Sequence, residues 1–74
     1  MRVAVVGASG FVGRELSVAL VKAEYDVIAL SRRAPEIAGA AGRAVDVADE
    51  VSLQSALVGC EVALEAGKRF FKIN

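Results

Sequence analysis

Three glycines, Gly7, Gly10 and Gly13, stand directly between a short apolar run and an amphipathic stretch, and no other feature constrains this chain as strongly. Val3-Ala4-Val5-Val6 lacks polar alternation, which suits a strand covered on both faces. From Gly10 onward, Val12, Leu16, Ala19, Leu20 and Ala23 recur at helical spacing while Arg14, Glu15, Ser17, Lys22 and Glu24 fall elsewhere, which predicts a helix with one buried stripe. In that setting each glycine has its own task. Gly7 permits the tight turn off the strand, Gly10 lets backbone approach a ligand closely, and Gly13 allows the helix to pack close to the strand. A helix beginning here presents unpaired N–H groups and the positive end of its dipole, an environment suited to a phosphate. The competing reading is a glycine-rich turn that only packs.

Further along, Val27-Ile28-Ala29-Leu30 repeats the buried-strand signal. The stretch from Ser31 to Gly42, with Pro35 and Gly39, reads as a connection holding at most a short helix. Ala44-Val45 predicts a third strand. Asp49 then caps a helix whose inner face is Leu53, Ala56 and Leu57, with Gly59 placed to end it. Val62-Ala63-Leu64 completes a fourth strand. Strands alternating with helices imply right-handed βαβ units and a parallel sheet with helices on its faces. The expected class is therefore α/β: the N-terminal half of a Rossmann-type sheet, about four strands in the order 3-2-1-4. Residues 1–64 carry the partial nucleotide-binding domain, and residues 65–74, which do not continue the alternation, are expected to be a separate C-terminal tail.

Composition limits the partners. The chain has 74 residues, 55% of them apolar and 24% charged, as a small folded domain requires. Nine Lys plus Arg balance nine Asp plus Glu, so no net field favours nucleic acid or an acidic membrane surface. No apolar run approaches the roughly 20 residues of a bilayer span. The lone Cys60 cannot form an internal disulfide, and the first residues run into a strand without a basic leader, both of which fit the cytoplasm.

The end of the second strand selects the ligand. Rossmann domains that prefer NAD place a carboxylate there for the ribose hydroxyls, whereas an Arg accommodates the 2′-phosphate of NADP. Here the strand ends Leu30-Ser31-Arg32-Arg33, without a carboxylate. Ser31 is a donor for a phosphate oxygen, and Arg32 or Arg33 can supply a bidentate, charge-assisted pair. NADP is the expected cofactor in preference to NAD. The plain alternative is two exposed arginines solubilising a loop. Ser9 is equally a phosphate ligand or a helix cap.

Val3-Ala4-Val5-Val6-Gly7-Ala8-Ser9-Gly10-Phe11-Val12-Gly13-Arg14, Ala29-Leu30-Ser31-Arg32 and Val45-Asp46-Val47-Ala48-Asp49, followed by Ser52-Leu53 and Ala56-Leu57-Val58-Gly59, together resemble the atypical NAD(P)-binding short-chain dehydrogenases/reductases, the NmrA-like and epimerase-like proteins. The resemblance covers about residues 1–64. It implies that Gly7, Ser9, Gly10, Phe11, Val12 and Gly13 form the cofactor turn and that Arg32 binds the 2′-phosphate, with Arg33 as a secondary candidate. It also implies that Asp46 accepts from the adenine amino group while Val47 backbone contacts the ring; a turn or capping role is the alternative for Asp46. Glu24-Tyr25 departs from the family, which usually turns into its second strand through a glycine. The family's Tyr-x-x-x-Lys pair and active-site Ser lie beyond the fourth strand, and Tyr25, followed four residues later by Ala29, cannot stand in, so no catalytic residue is assigned. A second resemblance, to the semialdehyde and acyl-phosphate dehydrogenases, is weaker. Their nucleophilic cysteine also lies downstream, and Cys60 reads better as a buried structural thiol.

Three functions follow as expectations: a cofactor-binding fragment of an NADP-dependent oxidoreductase or epimerase without catalysis of its own, a stand-alone NADP(H)-sensing module, or a subunit completed by another chain. In the last two, a homodimer or complementing chain would cover an open edge at the fourth strand. Phe70, Phe71 and Ile73 serve that contact or fold back as a tail, the latter being favoured.

Overall fold

The computed structural model describes residues 1–46, 48–65 and 69–72. Its elements are β1 (Arg2–Val6), α1 (Phe11–Lys22), β2 (Asp26–Ser31), β3 (Ala40–Ala44), α2 (Glu50–Leu57), β4 (Val62–Glu65) and β5 (Arg69–Lys72). They build one sheet in the order β3-β2-β1-β4-β5. The first four of these strands are mutually parallel, as the alternation of strands and helices requires.

The central strands explain the unbroken apolar runs. Val5 of β1 and Val27 and Ala29 of β2 join Ala8 and Ile37 under Leu16, Leu20 and Val21 of α1. Their neighbours Ala4, Val6, Ile28 and Leu30 point the other way, into a cluster with Val45, Ala56, Cys60 and Ala63 that Leu53 and Leu57 of α2 cover. Both faces are dry, so neither strand alternates with polar residues.

Three expectations change. The buried stripe of α1 is rotated: Val12 is 54% exposed and Ala19 and Ala23 face solvent, while Gly13 and Ser17 are buried against the sheet. The helix comes too close for large side chains there. Ser17 satisfies its buried hydroxyl by donating to the Gly13 carbonyl at 2.8 Å. The third strand lies earlier than Ala44-Val45, at Ala40–Ala44. It is a mostly exposed edge strand of small residues, and a Cβ on Gly42 would sit 2.1 Å from the Pro35 carbonyl oxygen, so this strand carries no apolar signal. Finally, part of the expected tail pairs antiparallel with β4, Leu64 opposite Phe70 and Ala63 opposite Phe71. The β4 edge expected to be open is covered by β5. Ile73 lies outside the described residues.

The turn into β2 keeps the usual geometry without the usual residue. Tyr25 N–H donates to the Leu20 carbonyl and Glu24 N–H to the Val21 carbonyl, a Schellman pair that places Glu24 at φ 69°. A side chain in that left-handed region costs on the order of 1 kcal/mol. Glu24→Gly is therefore expected to stabilise the fold by about 1 kcal/mol, read as a higher urea midpoint at unchanged slope; a lower midpoint would show that the Glu24 side chain contributes more than its backbone costs.

Candidate functional site

The strand-to-helix turn is tied to the adjacent strand before any ligand is considered. Gly7 and Ala8 both donate their N–H to the Leu30 carbonyl, at 2.8 and 2.9 Å, and Gly7 adopts φ 79°. These two bonds fix the turn at the C-terminal ends of β1 and β2, where parallel α/β sheets place ligands. Gly13 presses on the turn from the helix: a Cβ there would lie 2.2 Å from the Gly7 carbonyl oxygen.

Gly10 is different. It caps α1 in an extended conformation, and a Cβ would meet only the Gly7 carbonyl oxygen, at an ordinary 3.7 Å. Nothing among the described residues demands a glycine there. Ser9 is exposed and α1 has no side-chain cap, so of its two expected roles capping is not taken. Among the described residues, the N–H groups of Phe11, Val12 and Gly13 have no hydrogen-bond acceptor, and Arg14 is the first to bond back, to the Gly10 carbonyl. Phe11 is 80% exposed beside them.

Two clefts adjoin one another here, and one of them reaches the turn. One, of about 320 Å³, is lined by Gly7, Ser9, Ser31, Arg32, Val45, Asp46 and Ala48. The other, of about 370 Å³, is lined by Arg32, Ala44, Val45, Asp46 and Ser52. Arg32, Val45 and Asp46 line both, so the two adjoin as a trough whose one part reaches Gly7 and Ser9 and whose other part reaches Ser52 of α2. Val45 is held there by its N–H, which donates to the Ser31 carbonyl at 2.8 Å.

The polar groups of the trough divide into those engaged by the fold and those without a partner among the described residues. The Ser31 hydroxyl, expected to face a phosphate, donates instead to the Arg33 carbonyl and shapes the loop. Arg33 is exposed and lines neither cleft. Asp46 takes the turn role through one oxygen: its Oδ1 accepts from Ala48 N–H at 3.0 Å, and its carbonyl accepts from Asp49 N–H. Asp49 in turn accepts from Val51 and Ser52 N–H, capping α2 as expected. Among the described residues, Asp46 Oδ2, the Arg32 guanidinium and the Ser9 and Ser52 hydroxyls make no hydrogen bond, and Arg2 pairs with Asp26 at the far end of the sheet. Arg32 and Asp46 thus line one trough with opposite charge and no mutual pairing.

Val47 lies outside the described residues. Val45, Ala48 and Ser52 line the trough without having been singled out for it. Ser52 was within reach of sequence reasoning, because it stands one turn into a helix whose capping Asp49 follows the third strand. Cys60 sits before β4, at the opposite end of the sheet from the glycine turn, buried in the α2-side cluster. Burial pushes its thiol above the ordinary cysteine range, which suits an inert structural role. Among the described residues no helix is long and apolar enough to cross a membrane.

The same segment recurs in known proteins. Residues 3–68 match the profile of the NAD dependent epimerase/dehydratase family. Over 64 residues the chain is 36% identical to uncharacterized proteins of Mycobacterium tuberculosis and Mycobacterium bovis, covering 84% of this chain and 8% of each of theirs. A crystal structure of a Burkholderia pseudomallei protein, one whose name describes it as exported, superposes with a TM-score of 0.80 at 29% identity. That match covers 93% of this chain and 32% of the other.

Proposed function

The chain belongs to the NAD dependent epimerase/dehydratase family, and from that premise we propose that it is the NADP(H)-binding portion of an oxidoreductase or epimerase of the atypical short-chain dehydrogenase/reductase type. The observation that carries the reading is the trough itself. A guanidinium and a carboxylate oxygen that are unpaired among the described residues line it, and at one end it meets a helix terminus whose first N–H groups have no acceptor among those residues. A dinucleotide has matching parts: a pyrophosphate for the helix terminus, a 2′-phosphate for Arg32, and an adenine amino group for Asp46 Oδ2.

The nicotinamide ring, when bound, accepts or delivers a hydride. This chain's own residues bind and orient. The Gly7–Gly13 turn holds the pyrophosphate against backbone donors and the positive end of the helix dipole, without a basic side chain. Arg32, planar and always charged, takes the terminal phosphate in a fork. Substrate recognition and proton transfer are assigned to sequence outside this chain, consistent with its covering about a third of the solved relative and a small part of the curated ones.

Gly10→Ala tests this reading. Its methyl group has room in the free protein but occupies the space proposed for the pyrophosphate. The variant is expected to keep the wild-type circular dichroism spectrum and lose NADP⁺ affinity by roughly tenfold or more, the effect of displacing one or two charge-assisted hydrogen bonds. Equal affinity in the two proteins would place the pyrophosphate elsewhere.

A further inference from the structure

Arg32 belongs to a segment with neither helix nor strand, yet the path of that segment is fixed at several points. β2 ends at Ser31 and β3 begins at Ala40. Between them Arg32, Arg33 and Ala34 are exposed, whereas Pro35 and Ile37 are buried. The Ser31 hydroxyl donates to the Arg33 carbonyl, and Ile37 packs into the cluster beneath α1. The Pro35 carbonyl lies so close over Gly42 of β3 that a Cβ there would stand 2.1 Å from its oxygen. One residue later, Arg14 of α1 donates from Nη1 to the Glu36 carbonyl at 3.2 Å, across 22 residues of sequence.

The Arg14 contact joins two parts of the site. Its backbone N–H donates to the Gly10 carbonyl at 2.9 Å, so its main chain belongs to the helix start proposed for the pyrophosphate. Its side chain holds the segment that carries Arg32, proposed for the 2′-phosphate. Arg14 itself lines neither cleft. A loop whose path is fixed before binding loses less conformational freedom when the ligand arrives, and that gain falls on whichever ligand group the loop meets. Here the group is the 2′-phosphate, which NAD⁺ lacks.

We propose that Arg14 is a positioning residue for NADP selectivity: its bond to the Glu36 carbonyl holds the Arg32 segment at the spacing from the glycine turn that one ligand needs to reach both. The assignment rests on the dinucleotide-binding reading above. It goes further by making selectivity depend on a side chain outside the trough, acting through Arg32.

The test is a calorimetric titration of the full chain with NADP⁺ and NAD⁺, for wild type, Arg14→Ala, Gly42→Ala, Arg32→Ala and the double variant Arg14→Ala/Arg32→Ala. Arg14→Ala is expected to weaken NADP⁺ by about fivefold, the effect of one lost hydrogen bond, and to leave NAD⁺ within about twofold. Gly42→Ala displaces the Pro35 carbonyl without touching Arg14, and it is expected to lower the same selectivity. The double variant separates positioning from direct contact. Because Arg14 acts through Arg32, its removal is expected to change NADP⁺ affinity by less than about twofold once Arg32 is alanine. Unchanged selectivity in either Arg14→Ala or Gly42→Ala would overturn the proposal. So would a full fivefold loss on removing Arg14 from the Arg32→Ala chain, which would make Arg14 a ligand contact in its own right. A wild-type chain that bound neither dinucleotide would instead overturn the underlying reading of the trough, and this one with it.

Discussion

Gly13→Ala is expected to lower the melting temperature by roughly 12–24 °C, an effect of about 3 kcal/mol in a domain of this size. The added Cβ would stand 2.2 Å from the Gly7 carbonyl oxygen, 2.8 Å from Ala8 Cα and 2.9 Å from the Gly7 carbonyl carbon. All three are backbone atoms and none can swing aside. The turn cannot retreat either, because Gly7 and Ala8 are both bonded to the Leu30 carbonyl. Relief therefore requires α1 to lift from the sheet, opening the cluster of Val5, Ala8, Val27 and Ala29 beneath it. A domain this small has a total stability of about 4–11 kcal/mol, so a few kcal/mol is a large share. A thermal melt followed by circular dichroism reads the effect, and a midpoint within a few degrees of wild type would show that the helix does not sit against the turn.

Arg32→Ala is expected to weaken NADP⁺ by roughly 10–100-fold, the 1.5–3 kcal/mol of a hydrogen-bonded charged group, and to leave NAD⁺ within about twofold. The asymmetry is the point. Arg32 lines both clefts with a guanidinium that has no protein partner among the described residues, and β2 ends in Ser31 without a carboxylate to take ribose hydroxyls. Only the cofactor bearing a 2′-phosphate should register its loss. Arg32→Lys should recover part of the affinity, since it keeps the charge but not the fork. Parallel titrations with both dinucleotides check this, and equal losses for NADP⁺ and NAD⁺ would show that Arg32 serves a part common to both.

The fold was legible wherever burial was symmetric. Val3–Val6 and Val27–Leu30 are covered on both faces, so their runs announced two central parallel strands, and the strand order followed. Asp49 and Gly59 marked α2 because capping chemistry is local; Gly59 indeed adopts φ 85°. What failed depended on distance between backbones. Counting apolar residues turned Leu16 and Leu20 of α1 inward correctly but carried the stripe on to Val12, Ala19 and Ala23, because the closest contact is made by Gly13 and Ser17, which carry no hydrophobic signal. β3 was misplaced because an edge strand of Ala40-Ala41-Gly42-Arg43-Ala44 buries little, and its glycine answers to the Pro35 carbonyl. β5 was missed because pairing along the edge of β4 is a tertiary choice that Phe70-Phe71 does not declare.

The site shows the same division. The glycine turn, Arg32 and Asp46 stand out in the sequence by residue type and spacing, and the structure brings Gly7, Ser9, Arg32 and Asp46 to line one cleft. That Ser31 would bond the Arg33 carbonyl, or that Ser52 would face the same cleft as Arg32, depends on loop paths that no spacing rule encodes.

One measurement tests the central claim most directly: calorimetric titration of the folded wild-type chain with NADP⁺, with NAD⁺ in parallel. Saturable, one-to-one binding of NADP⁺ in the micromolar range, tighter than NAD⁺, is the predicted result. A chain with the α/β circular dichroism spectrum and a cooperative melt that took up neither dinucleotide at millimolar concentration would contradict the claim that this trough is a cofactor site.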